Sequence, residues 1–216
     1  MDYRLELLHE DKFERLANRI CQQILGIGVE SFSKGKDGGK DGKFTGTSLK
    51  YPSETSPWSG KFIIQAKHTN NPIASCSDSE FSTIIDKEIE KIKRIKEDGE
   101  IDCYLLFTNR KYSGVSSGKI LTRIRTNTGL DKVAIIGKES LNDLYINPNK
   151  DIIKEFNLDL IHIPFDFSEN EIKNIIIKFH ENLSSLSYDI ESEVKKLRYD
   201  YERIEIEEKN KKKQVK

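Results

Sequence analysis

Two short apolar runs with helical sequence between and around them restrict this chain to a narrow set of folds. Ile101 to Phe107 (IDCYLLF) and Lys132 to Ile136 (KVAII) are greasy almost without interruption, as strands covered on both faces must be. Ahead of the first run, Ser79 to Asp98 places Phe81, Ile84, Ile85, Ile89, Ile92 and Ile95 on one helical face, and Gly99 follows where a cap belongs. The opposite face is charged and solvated. A shorter helix is expected around Lys119 to Ile124, between the two runs. Strands alternating with helices predict an α/β fold, a mixed sheet flanked by helices on both faces.

The N-terminal third adds a helix and a hairpin. From His9 to Leu25 the residues Phe13, Leu16, Ala17, Ile20, Ile24 and Leu25 recur at helical spacing, with Gly26 at the end. Ile27 to Phe32 reads as a short strand, followed by the glycine-rich turn KGKDGGKDG and a second strand through Phe44. Gly46 to Gly60 holds two prolines and several serines and threonines, so a loop is expected before the strand Lys61 to Lys67 (KFIIQAK). Short helices near Ser140 to Tyr145 and Ile152 to Phe156, an edge strand at Leu160 to Ile163, and a helix from Glu169 to Leu183 complete the reading.

Beyond Ser184 the character changes. Leu186, Ile190, Val194, Leu197, Tyr201 and Ile204 follow steps of three and four amid dense charge, which predicts a protruding amphipathic helix. The final KNKKKQVK carries five lysines in eight residues and no apolar core, the composition of a disordered end. The expected division is therefore a domain over 1–183 and a charged helix or linker over 184–216. A strip of apolar residues at heptad-like spacing seeks a partner, so a homo-oligomer, or further domains or subunits reached through this helix, are the expected protein partners.

With 36 basic and 36 acidic residues in 216, net charge gives no reason to expect nucleic-acid binding, and only a local patch could. Cys21, Cys76 and Cys103 have no CxxC spacing, which argues against a disulfide framework or a thiolate zinc site and for a reducing, cytoplasmic setting. His9, His162 and His180 show no ligand spacing, and no apolar run approaches a membrane span.

Chemistry concentrates around the hairpin. In an extended strand, residues i and i+2 share a face, so Gln65 and Lys67 stand side by side while Ala66 points into the opposite layer. Asp41, at the start of the neighbouring strand, can complete a pocket, because its flanking glycines admit close approach of backbone and phosphate. Asp37 also sits beside glycine and competes for the role, or is part of a solvated turn. A hard-oxygen set beside a lysine is what metal-assisted phosphodiester cleavage requires.

The order of a helix with FERL, then GKDGGKDG, then IIQAK resembles the Mrr-like branch of the PD-(D/E)xK restriction-endonuclease superfamily over roughly Asp11 to Gly137. The resemblance implies a restriction-endonuclease-like fold and a metal site matching Glu14, Asp41, Gln65 and Lys67, with the Ala66 carbonyl as a further ligand. It implies Mg2+, for which Mn2+ substitutes. It also implies hydrolysis of DNA, double-stranded by expectation, to 5′-phosphate products in a prokaryotic restriction or antiphage setting. Glutamine is common at the position of Gln65 in that branch. Its amide oxygen can ligate an ion but brings no charge, which leaves charge balance to the acids. Glu14 reads equally as an ordinary exposed helix carboxylate.

From Thr108 to Leu130 there are five basic residues, Arg110, Lys111, Lys119, Arg123 and Arg125, and no acidic one. With Lys40, the residues Arg110, Lys111, Arg123 and Arg125 are the expected phosphate contacts, the alternative being a solvated basic loop. The rival function is a catalytically inactive nuclease-fold module that binds DNA or serves assembly, with Gln65 as one symptom.

Overall fold

His9 caps the first helix, its ring accepting a hydrogen bond from the Asp11 backbone at 3.4 Å, and the acids Glu10 and Asp11 occupy the first turn where the helix dipole favours them. Helix α1 runs Glu10–Ile24 and ends before Gly26, whose φ of 136° is a conformation that side chains resist. The structure, a computed structural model, describes residues 1–32, 40–161, 172–183, 190 and 192–198. It divides into two compact units, Met1–Ile163 and Pro164–Lys216, so the units part ahead of the change in composition at Ser184.

In the first unit a five-stranded mixed sheet has the order β1-β2-β3-β4-β5. Strands β1 (Glu30–Ser31), β2 (Gly42–Thr47) and β3 (Ser59–Lys67) are antiparallel, and β4 (Cys103–Thr108) and β5 (Lys132–Ile136) continue the sheet in parallel with β3. Between β3 and β4 lies α2 (Ser79–Glu97), and between β4 and β5 lies α3 (Gly114–Thr128). These crossovers supply the helices that parallel pairing needs.

The period-two alternation sorts the sheet's side chains into two cores. Phe62, Ile64, Ala66, Cys103, Leu105 and Phe107 pack with α1 and the helical segments after β5. Ile63, Tyr104, Leu106, Val133 and Ile135 pack on the other face, against α2 and Leu130. Gln65 and Lys67 share the parity of Ile63 and so belong to the α2 face.

Several expectations are corrected. The strand expected over Ile27 to Phe32 pairs only at Glu30–Ser31, because a turn closed by Val29 N–H donating to the Gly26 carbonyl consumes its start. Strand β2 extends to Thr47 and β3 begins at Ser59, so the expected loop is shorter, held by Ser48 Oγ donating to the Tyr51 and Trp58 carbonyls. Helix α3 is longer than Lys119 to Ile124, since its first third, Gly-Val-Ser-Ser-Gly, carries no apolar period to betray it. Leu158–Ile161 is a helical turn, α6, where an edge strand was expected. Leu158 is buried and Leu160 exposed, and a two-residue step on a helix crosses to the opposite side just as it does on a strand. Helix α4 (Lys138–Ser140) continues into a wide helical turn over Leu141–Ile146, and α5 covers Lys150–Glu155.

In the second unit, residues 172–183, 190 and 192–198 are helical, and Ile176, Phe179, Ile190, Val194 and Leu197 are exposed. Asp37, His162, Leu186, Tyr201, Ile204 and the lysine-rich end lie outside the described residues. Among the described residues no helix is long and apolar enough to cross a membrane.

Candidate active site

The register of the hairpin builds the site. Gly42 pairs with Ile64 and the Asp41 N–H donates to the Ile64 carbonyl at 3.2 Å, so Asp41 stands opposite Gln65, on the same face. Asp41 Oδ2 accepts hydrogen bonds from the Ala66 backbone N–H at 2.7 Å and from Gln65 Nε2. From the α1 layer, Asn18 Nδ2 donates to the Asp41 carbonyl at 2.9 Å. A side chain on Gly42 would collide with Asn18 Oδ1, so glycine here is what lets α1 grip the acid's backbone.

Helix α2 completes the cluster with two residues that sequence reasoning passed over. Glu88, with a side chain only 6% exposed, lies 3.0 Å through Oε1 from Lys67 Nζ and 3.8 Å through Oε2 from Lys91 Nζ. The buried Tyr104 hydroxyl donates to Glu88 Oε2 at 2.6 Å. Lys91 Nζ in turn donates to Gln65 Oε1. A signal for Glu88 was present: Phe81, Ile85, Glu88, Ile92 and Ile95 advance in steps of four and three, so a carboxylate interrupts an otherwise apolar stripe. Charged residues are rarely buried without partners, which makes such an interruption informative.

Burial dominates the electrostatics. It pushes the Asp41 carboxyl up from the ordinary range, against the Ala66 hydrogen bond and the charges of Lys67 and Lys91, which pull it down. Burial also pulls the Lys91 ammonium down, with Glu88 opposing. For Asp41 the raised value means that its contribution to stability is present below the unfolded pKa and lost as pH rises through the folded one. An ionised Asp41 therefore works against the fold and gains from any further cation that reaches it.

The predicted site residues separate into groups. Asp41, Gln65 and Lys67 come together at one end of β3. Glu14 is half-buried on α1, one turn before Asn18, which reaches the Asp41 backbone, and the charges that act most strongly on Asp41 are those of Lys67, Lys91 and Glu88. His68, which directly follows Lys67, turns away: its Nε2 contacts the Leu5 carbonyl at 3.0 Å and its ring lies against Phe13.

The basic residues expected to meet phosphate have mostly structural partners. Arg110 is 2% exposed; its guanidinium pairs with Glu80 at 2.6 Å and Asp78 at 3.4 Å and lies over the Phe81 ring. It joins the end of β4 to the start of α2. Arg123 pairs with Asp86 and donates to Ser82 Oγ at 2.8 Å, and Arg125 donates to the Asp131 carbonyl at 3.1 Å. Lys111 is exposed and Lys40 half-buried beside Asp41. Replacing Arg110 by methionine is expected to lower unfolding free energy by about 1–3 kcal/mol through its lost charged hydrogen bonds, as read by urea denaturation. DNA affinity of the folded fraction should stay unchanged.

The donors here are the carboxylates of Asp41 and Glu88, the Ala66 carbonyl and the Gln65 amide oxygen. All are hard oxygens, and a magnesium ion takes one or two carboxylates and fills the rest of its octahedron with water and substrate phosphate. The set fits such an ion in kind. No protein-family model matches the chain, and no curated protein matches it.

Proposed function

We propose that this chain is a magnesium-dependent endonuclease that hydrolyses phosphodiester bonds in DNA, with the restriction-endonuclease-like fold that its ordered motifs resemble. What supports the reading is the meeting of Asp41, Gln65 and Lys67 on one face at the end of β3. An acid at the head of β2 and a glutamine–lysine pair on β3 converge with the chemistry that in-line attack of water on phosphorus needs. The mixed sheet, with its acid at the head of β2 and the glutamine–lysine pair at the end of β3, agrees with the resemblance.

Asp41 and Glu88 would hold the ion, with the Ala66 carbonyl. When bound, the ion supplies a water of lowered pKa and neutralises charge gathering on the phosphoryl oxygens. Asp41 is aimed by its two hydrogen bonds from β3 and by the Asn18 grip on its backbone. Lys67, 29% exposed, is a cation that reaches solvent at this corner, and it orients the attacking water and offsets the charge that grows on phosphorus. Glu88, fixed by the Tyr104 hydroxyl, holds the Lys67 ammonium in place until a phosphate competes for it. Lys40 and Lys111 remain as phosphate contacts. A restriction or antiphage role, and assembly through the helices after Pro164, belong to the same proposal.

One observation favours the rival reading of an inactive module. The cluster is self-neutral, with two carboxylates facing two ammonium groups, and Lys91 occupies the Gln65 oxygen. Supercoiled plasmid incubated with the purified chain, with and without Mg2+, separates the two. The expected result is magnesium-dependent nicking and linearisation that Asp41→Asn reduces by at least about 100-fold, as loss of a transition-state electrostatic element does. Retarded but uncut plasmid in every lane would establish the rival. Matched RNA and single-stranded substrates test the choice of polynucleotide.

A further inference from the structure

We propose that Lys91 is a positioning residue that decides which end of the Gln65 amide faces Asp41, so that Gln65 serves this acid as a donor and not the ion as a ligand. The inference rests on the nuclease reading of this corner and refines its ligand set. An ammonium group has donors only, so the Gln65 atom that Lys91 touches is the amide oxygen. The amide is planar, which sends Nε2 the other way, onto Asp41 Oδ2.

Inverting the amide would set NH2 against the ammonium and oxygen against the carboxylate. Two attractive contacts would become two repulsive ones, in a place where Gln65 is only 3% exposed and water cannot compensate. Lys91 is itself buried and held on α2, one turn beyond Glu88, whose carboxylate lies 3.8 Å away. While that ammonium stays, the Gln65 oxygen is not available to a cation. The ion's ligands then come from Asp41 and the Ala66 carbonyl, joined by Glu88 Oε1 once Lys67 leaves it for phosphate. Glutamine in place of an acid thus has a positive use here: it shares Asp41 Oδ2 with the Ala66 N–H and fixes the direction in which the second oxygen points.

The test uses the full chain, with Mn2+ as the probe, its affinity read by electron paramagnetic resonance. Lys91→Met keeps the length of the side chain and removes the ammonium. Lys91→Met should tighten Mn2+ affinity by at least about threefold by freeing an oxygen ligand. The gain should vanish when the same change is made in a Gln65→Ala background, as a shared partner requires. Independently of any ion, nuclear Overhauser contacts from the Gln65 Nε2 protons to the Ala66 amide proton should be present in the unmodified chain and lost in Lys91→Met.

A Lys91→Met gain of the same size with and without Gln65, no gain at all, or Overhauser contacts that survive Lys91→Met, would overturn the role given to Lys91. Equal Mn2+ affinity in the unmodified chain and Asp41→Ala would instead remove the nuclease reading. The Overhauser contacts would still decide how the amide is held.

Discussion

With Lys67 replaced by methionine, the chain is expected to keep its fold and its hold on DNA while cleaving about 100- to 1,000-fold more slowly under single-turnover conditions. Lys67 ends a buried strand but its ammonium is partly exposed, so the change removes a charge at the mouth of the site and little packing. Glu88 keeps Tyr104 as a donor and Lys91 as a nearby cation, which limits the cost in stability. The loss should therefore appear in the rate of the chemical step and not in the melting temperature. Nicking at an undiminished rate would deny Lys67 any part in the reaction and remove the basis of the proposed function.

Glu88→Ala is expected to act on both stability and rate. It strips the buried Tyr104 hydroxyl of its acceptor and leaves Lys91 with one fewer compensating charge in a desolvated place. Breaking a buried ion pair by removing one partner costs about 3–5 kcal/mol, a large share of a domain's typical stability. Denaturation in urea reads that loss directly. Glu88→Gln retains an oxygen for Tyr104 and should recover part of the stability, yet not the cleavage, because the amide no longer holds the Lys67 ammonium by charge. A fall below about 1 kcal/mol on Glu88→Ala would mean that the carboxylate is compensated by solvent, as surface pairs are.

Much of this corner could be read along the chain because it depends on local rules. Asp41 was identifiable from its glycine neighbours and the strand that follows, and Gln65 with Lys67 from the two-residue repeat of a strand. Arg110 shows where such reading fails. A run of basic residues without acids looks like a phosphate-binding loop, yet the acids that neutralise Arg110, Asp78 and Glu80, come from the start of α2, about thirty residues earlier in the chain. Charge balance in a folded protein is settled across elements, and a window along the sequence does not contain the partner.

The α/β class, the apolar strands β4 and β5, helices α1 and α2 and their terminal glycines were determined by the sequence itself, because periodicity and backbone freedom act within a dozen residues. Tertiary structure alone decided that Glu88 and Lys91 turn from the α2 stripe onto Gln65 and Lys67, and that Arg110 faces inward. Those outcomes depend on which layer of a two-sided sheet each helix covers. That is set by the packing of whole elements against one another, which no local spacing encodes.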